Sequence, residues 1–187
     1  MAKLGASSVC ICQVVEKVAM RKSMNQKNAD RGSLTTADKI IIGIFGACFA
    51  IALFTFGSTV EPTASFWDAG EYISTSAKLQ VGHPPGAPLF QMIGAFFALF
   101  ATSAQKVALM VNFMSVFSSA FTVLFLFWTL TLLLQKLPNF KNLENLTDRI
   151  GFFGSAAVGA LAFCFSDSFW FNAVETEVYA MATLILS

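Results

Sequence analysis

Charge is absent from three long stretches of this chain, and that absence constrains its fold more than any other feature. No Asp, Glu, Lys or Arg occurs from Ile40 to Val60, from Val107 to Gln135, or from Ile150 to Ser166. A helix rises about 1.5 Å per residue, so such runs reach across a hydrocarbon core of about 30 Å, the third only marginally. The composition agrees, with 56% hydrophobic and 12% charged residues in 187, where soluble domains carry about 25% charged residues. One core in a soluble chain of this size does not hide so much apolar surface. A soluble enzyme domain, a disordered chain and a nucleic-acid-binding module are therefore disfavoured. The net charge of +1 gives no general pull toward polyanions. The expected class is all-α, a polytopic helical membrane protein that meets the lipid bilayer.

The charges that remain order the chain. Residues 1–38, with Lys3, Lys17, Arg21, Lys22, Lys27 and Arg31, read as a basic, flexible cytoplasmic tail. The membrane part follows over 39–187, with spans expected at about 39–58, 107–134 and 150–165 and a further one starting at 178. Leu89 to Ala101 is apolar but short, which suits a re-entrant or juxtamembrane half-span. Lys and Arg in short loops favour the cytoplasm, so the tail and the 135–149 loop should share a side. Two full crossings between them satisfy that rule and three do not. Loops 61–88 and 166–177 then lie together on the extracytoplasmic side.

Those two loops hold the residues with chemical potential. Trp67-Asp68-Ala69-Gly70-Glu71-Tyr72 sets two carboxylates three residues apart, which share a face on a helix. Such a pair can tune one member toward a base near neutral pH, or it can be an ordinary acidic helix start. The sole histidine, His83, precedes Pro84-Pro85-Gly86. The prolines fix an extended backbone and Gly86 permits a sharp turn into the half-span. His83 either meets a phosphate or moves a proton, or belongs to a plain entry turn. Lys78 is a phosphate partner or a snorkelling interfacial lysine. Glu175 and Glu177 follow Phe169-Trp170-Phe171. As i and i+2 on a helix they do not share a face, so one is expected to point inward. Ser-Phe-Trp, at 65–67 and again at 168–170, suits an aromatic belt at the interface. Four cysteines and one histidine form no metal spacing, and no phosphate-binding glycine loop or nucleophile elbow is present. Gly151, Gly154 and Gly159 suit close helix packing in a bilayer.

The run Glu61-Pro62-Thr63-Ala64-Ser65-Phe66-Trp67-Asp68-Ala69-Gly70-Glu71-Tyr72, then Lys78 through Leu89, resembles the start of an uncharacterised bacterial membrane-protein family. That family is related to the eukaryotic transmembrane protein O-mannosyltransferases. Phe165 through Trp170 and Ala173 through Ala180 resemble its next motif, so the likeness runs from about residue 40 onward. It implies a GT-C-like fold of the glycosyltransferases that use a polyprenyl-phosphate sugar, with no resident cofactor assigned. It further implies transfer of a sugar, mannose being the first choice, to an acceptor protein or glycan by an inverting displacement, in a bacterial inner membrane. Asp68, Glu71 and Glu177 become the catalytic candidates; His83, Lys78, Glu175 and Trp67 become substrate-binding ones. Such enzymes have more spans than are visible in this sequence, so the chain is expected to be an N-terminal part whose partners include missing C-terminal spans, inactive by itself. The competing classes are a transporter, against which the loop placement of the ionisable residues counts, and a non-catalytic assembly subunit.

Overall fold

A computed structural model describes residues 36–65, 68–83, 86–137 and 145–187. The basic tail, Trp67 and the Pro84-Pro85 pair lie outside these residues. Among them are seven α-helices, one 3-10 turn and no strand: α1 (Thr36–Ser58), α2 (Ala69–Lys78), α3 (Pro88–Ala98), the turn Ala104–Lys106, α4 (Val107–Leu134), α5 (Leu146–Cys164), α6 (Asp167–Val174) and α7 (Val178–Leu186).

Two helices are long and apolar enough to cross a membrane, Lys39–Ser58 and Ala104–Leu134. A third crossing is formed if α5 and α6, bent by 67° at their junction, are taken as one broken span. The short segment expected at 89–101 is an 11-residue helix, α3, about 16 Å long and half the thickness of a hydrocarbon core. Pro88 opens it at a position where a missing N–H costs no hydrogen bond.

The core follows α4. Its residues Val116, Ala120, Val123 and Phe127 are buried with Cys48, Ala52 and Phe56 of α1, Phe152, Ala156 and Ala160 of α5, and Phe169 and Ala173 of α6. Phe56 meets Phe169 and Trp170 edge-on, with ring centroids 5.9 Å apart in both pairs. Between helices embedded in lipid, such burial stabilises through packing, because lipid is as apolar as the core. Small residues serve that packing unevenly. A Cβ on Gly159 would lie 3.1 Å from Leu130 Cδ1, whereas Gly151 and Gly154 have nothing within 4 Å. Only Gly159 of the three allows a close approach.

Both expected loops contain helices. In the first, Ala69, Ile73 and Ser76 bury one face of α2 at helical spacing. In the second, Phe169 and Ala173, four residues apart, dock α6 on the core. Tertiary burial of one face outweighs the polar composition from which a loop was expected. Helix α2 ends on Leu79 in the left-handed conformation, φ 51°, and the chain returns toward the start of α2.

Candidate functional site

Asp68 stands at the N-terminal boundary of α2 and Glu71 lies in its first turn, so the three-residue spacing does bring both carboxylates to one end. The returning loop carries His83 to them. Glu71 accepts two hydrogen bonds from it, one from the His83 backbone N–H at 2.6 Å and one at Nδ1, 2.9 Å away. The other ring nitrogen, Nε2, lies 4.0 Å from Asp68 Oδ2. The imidazole thus stands between two carboxylates, bonded to one and facing the other.

Two glycines make this possible. A Cβ on Gly82 would lie 3.0 Å from Glu71 Oε1 and 3.1 Å from Gln91 Nε2, so only a bare backbone passes over the Glu71 carboxylate. Gly86 adopts φ +76° and its N–H bonds the His83 carbonyl at 2.8 Å, closing the turn into α3. Below the loop, buried Gln91 donates to Thr75 Oγ1 at 3.2 Å and fixes α3 to α2.

The electrostatics follow the geometry. The His83 backbone N–H, then its ring, hold Glu71 below the ordinary carboxylate range. Hydrogen bonding to Glu71, then its charge and that of Asp68, raise His83 above the usual imidazole value. The Glu71 contribution is present above the ordinary carboxylate range and is lost as pH falls through the lowered value. The His83 contribution is present below about 6.5 and is lost as pH rises through the raised value. Between the ordinary carboxylate range and about 6.5 both contributions are present. Both groups are exposed, so the pair fixes orientation more than it stabilises the fold.

The second loop approaches from α6. Glu175 and Glu177 lie in extended backbone, φ −131° and −127°. The Glu177 N–H bonds the Glu175 carbonyl at 3.0 Å, so the chain turns at the fully buried Thr176 between them, and of the two glutamates Glu175 is the more buried. Glu175 is 4% exposed. Burial, then the charges of Glu175 and Asp68, raise the pKa of Glu177. Tyr72 lies where the loops meet. Burial first, then Asp68, Glu177 and Glu71, raise its phenol, so the hydroxyl stays a donor at neutral pH. Its ring also packs on Phe90, centroids 5.3 Å apart, and lies 6.2 Å from His83.

Lys78 is not brought to this group. It is exposed at the far end of α2, about 15 Å along the helix from Asp68. Four contributors were not legible as site residues: Gly82, Gln91, Tyr72 and Asn112. Asn112 had the clearest signal, an amide within an uncharged apolar run; its side chain bonds both loops.

The described residues define an all-helical protein with two or three helices long and apolar enough to cross a membrane, in which Glu71 and Asp68 of the first loop flank His83 and Glu177 of the second bears electrostatically on Asp68 and Tyr72. The chain belongs to the family described as the Protein O-mannosyl-transferase TMEM260 N-terminal domain, matched over residues 68–187. It is 26% identical over 148 residues to "Protein O-mannosyl-transferase tmem260" of Dictyostelium discoideum, a stretch that is 79% of this chain and 16% of that protein. The chain therefore spans about a sixth of the relative's length. No solved structure matches. The kinship expected from the motifs rests on these two matches; the relative is eukaryotic, and they say nothing of a bacterial membrane.

Proposed function

We propose that the chain carries the first acidic site of a GT-C-like membrane glycosyltransferase. This site would pass a sugar, mannose by kinship, from a polyprenyl phosphate to Ser or Thr hydroxyls on the extracytoplasmic side. The observation that carries this reading is the division of labour between Asp68 and Glu71. Both oxygens of Glu71 are engaged by His83, which leaves Asp68, 58% exposed, as the carboxylate open to an acceptor.

Asp68 takes the proton of the acceptor hydroxyl as its oxygen attacks the anomeric carbon. The bond from that carbon to the donor phosphate breaks with inversion, and the phosphate departs carrying the bonding pair. Charge develops on the phosphate oxygens. The Nε2 face of His83, whose charged form Glu71 favours, and the Tyr72 hydroxyl are donors suited to receive it. Glu71 positions His83 and favours its charged form. Glu177, with its raised pKa, approaches Asp68 from the second loop and adds a second proton-carrying group. An apolar groove of about 230 Å³ between α3, α4 and α7, lined by Leu89, Ile93, Phe97, Met114 and Met181, fits a prenyl tail entering beside this site.

The test is Asp68→Asn in the intact protein, assayed for sugar transfer from a polyprenyl-phosphate mannose to a Ser/Thr peptide. Transfer is expected to fall by on the order of 100-fold or more. Normal transfer would remove Asp68 as the base. Tolerance of Ala at Asp68, Glu71 and Glu177 together would favour a non-catalytic assembly subunit.

A further inference from the structure

Asn112 lies in the second turn of α4, in a segment otherwise suited to lipid and helix contact. It is 1% exposed. Its Nδ2 donates to the Glu61 carbonyl at 2.6 Å and to the Thr63 carbonyl at 3.0 Å, and its Oδ1 accepts from the hydroxyl of Thr176, which is fully buried. Both amide hydrogens and the amide oxygen are therefore used, two on the first loop and one on the second. The loops also touch directly, because the Glu61 N–H donates to the Val174 carbonyl at 2.9 Å.

These anchors stand close to the acidic groups in sequence. Thr63 is five residues before Asp68, and Thr176 directly precedes Glu177. Ala104–Leu134 is 31 residues long, about 46 Å against a core of about 30 Å. It has room to hold Asn112 near the membrane surface, where the loops lie. A buried amide with both N–H donors and its oxygen engaged fixes one arrangement of its partners, since losing one bond leaves polar groups unmatched.

We propose that Asn112 is a positioning residue that sets the separation of Asp68 and Glu177 by tying the two acidic loops to one helix. It touches neither substrate nor the reacting atoms. The role in transfer rests on the function proposed above; the tie between loops does not, and the two are tested separately.

Spin labels at Ala64→Cys and Tyr179→Cys, with Cys10 and Cys12 replaced by Ser, report the loop separation in the intact protein in nanodiscs. A single narrow distance is expected. Thr176→Val keeps the side-chain shape and removes one hydrogen bond, and Asn112→Ala removes all three. Both are expected to broaden the distribution, and Thr176→Ser is expected to restore it. Where Asn112→Ala does not fold, the Thr176 pair carries the test. An unchanged narrow distance in Thr176→Val overturns the proposal. In transfer assays kcat is expected to drop about tenfold in Thr176→Val with KM unchanged, since a shift of about 1 Å can cost on the order of 100-fold. Unchanged kcat alongside a broadened distance overturns the positioning role. Broadened loops in a protein that transfers no sugar leave the tie standing and overturn the function.

Discussion

The two acidic loops solve opposite problems. In the first, Glu71 is exposed, grips a histidine and is held ionised. In the second, Glu175 is buried and Glu177 is pushed toward its protonated form by burial and by like charges, with only the Val178 backbone N–H acting the other way. The same residue type is thus biased in two directions within one site. Pairs of titratable groups driven apart in this way mark acid and base assignments. The contrast shows that the number of carboxylates near the membrane surface matters less than what each one faces.

The largest expected break of this comparison is at Asp68. Asp68→Asn should lower transfer on the order of 100-fold or more, whereas Glu175→Gln, which alters a buried neighbour, should cost far less; equal losses would erase the division between the loops. Next is Glu71→Gln. Histidine-labelled NMR reads His83 once its signal is assigned by its loss in His83→Ala. Its titration midpoint should lie above about 6.5 in the wild type and fall back toward that value in Glu71→Gln. An unmoved midpoint would show that Glu71 does not hold the ring.

Gly82→Ala reaches the same pair without changing a charge. The added methyl would press on Glu71 Oε1 and Gln91 Nε2, so the His83 midpoint should drop partway and transfer should fall several-fold. Glu177→Gln probes the other loop. A carboxyl with a raised pKa binds its proton more tightly when folded, so stability is lost as pH rises through that value. The variant should therefore melt higher than wild type at pH 8 and about equally at pH 4, read by thermal unfolding in detergent. Glu71→Gln should show no such gain. Smallest of all, Lys78→Ala should leave transfer within about twofold, because Lys78 stands at the exposed far end of α2.

How much was legible follows from the physics of each part. The two strong spans were readable because uncharged runs of such length have one good solution in a bilayer. Asp68 and Glu71 were readable as a pair because their spacing is local. The helices α2 and α6 were not, since their composition is polar and aromatic and their helicity depends on burying one face against α4 and the core. That Glu175 and Glu177 lie in extended backbone just before α7 was not readable, because nothing local distinguishes a helix start from the segment before it. Trp67 falls outside the described residues.

The sequence by itself determined the long uncharged helices and the short third apolar helix, because hydropathy and helix length are properties of local segments. Only the tertiary structure decided that Glu71 binds His83, that Asp68 is left exposed, that Glu177 feels the charge of Asp68 from more than a hundred residues away, and that Asn112 bonds both loops. Each of those depends on which groups meet in space and how much water remains around them, and neither is written in the spacing of residues along the chain.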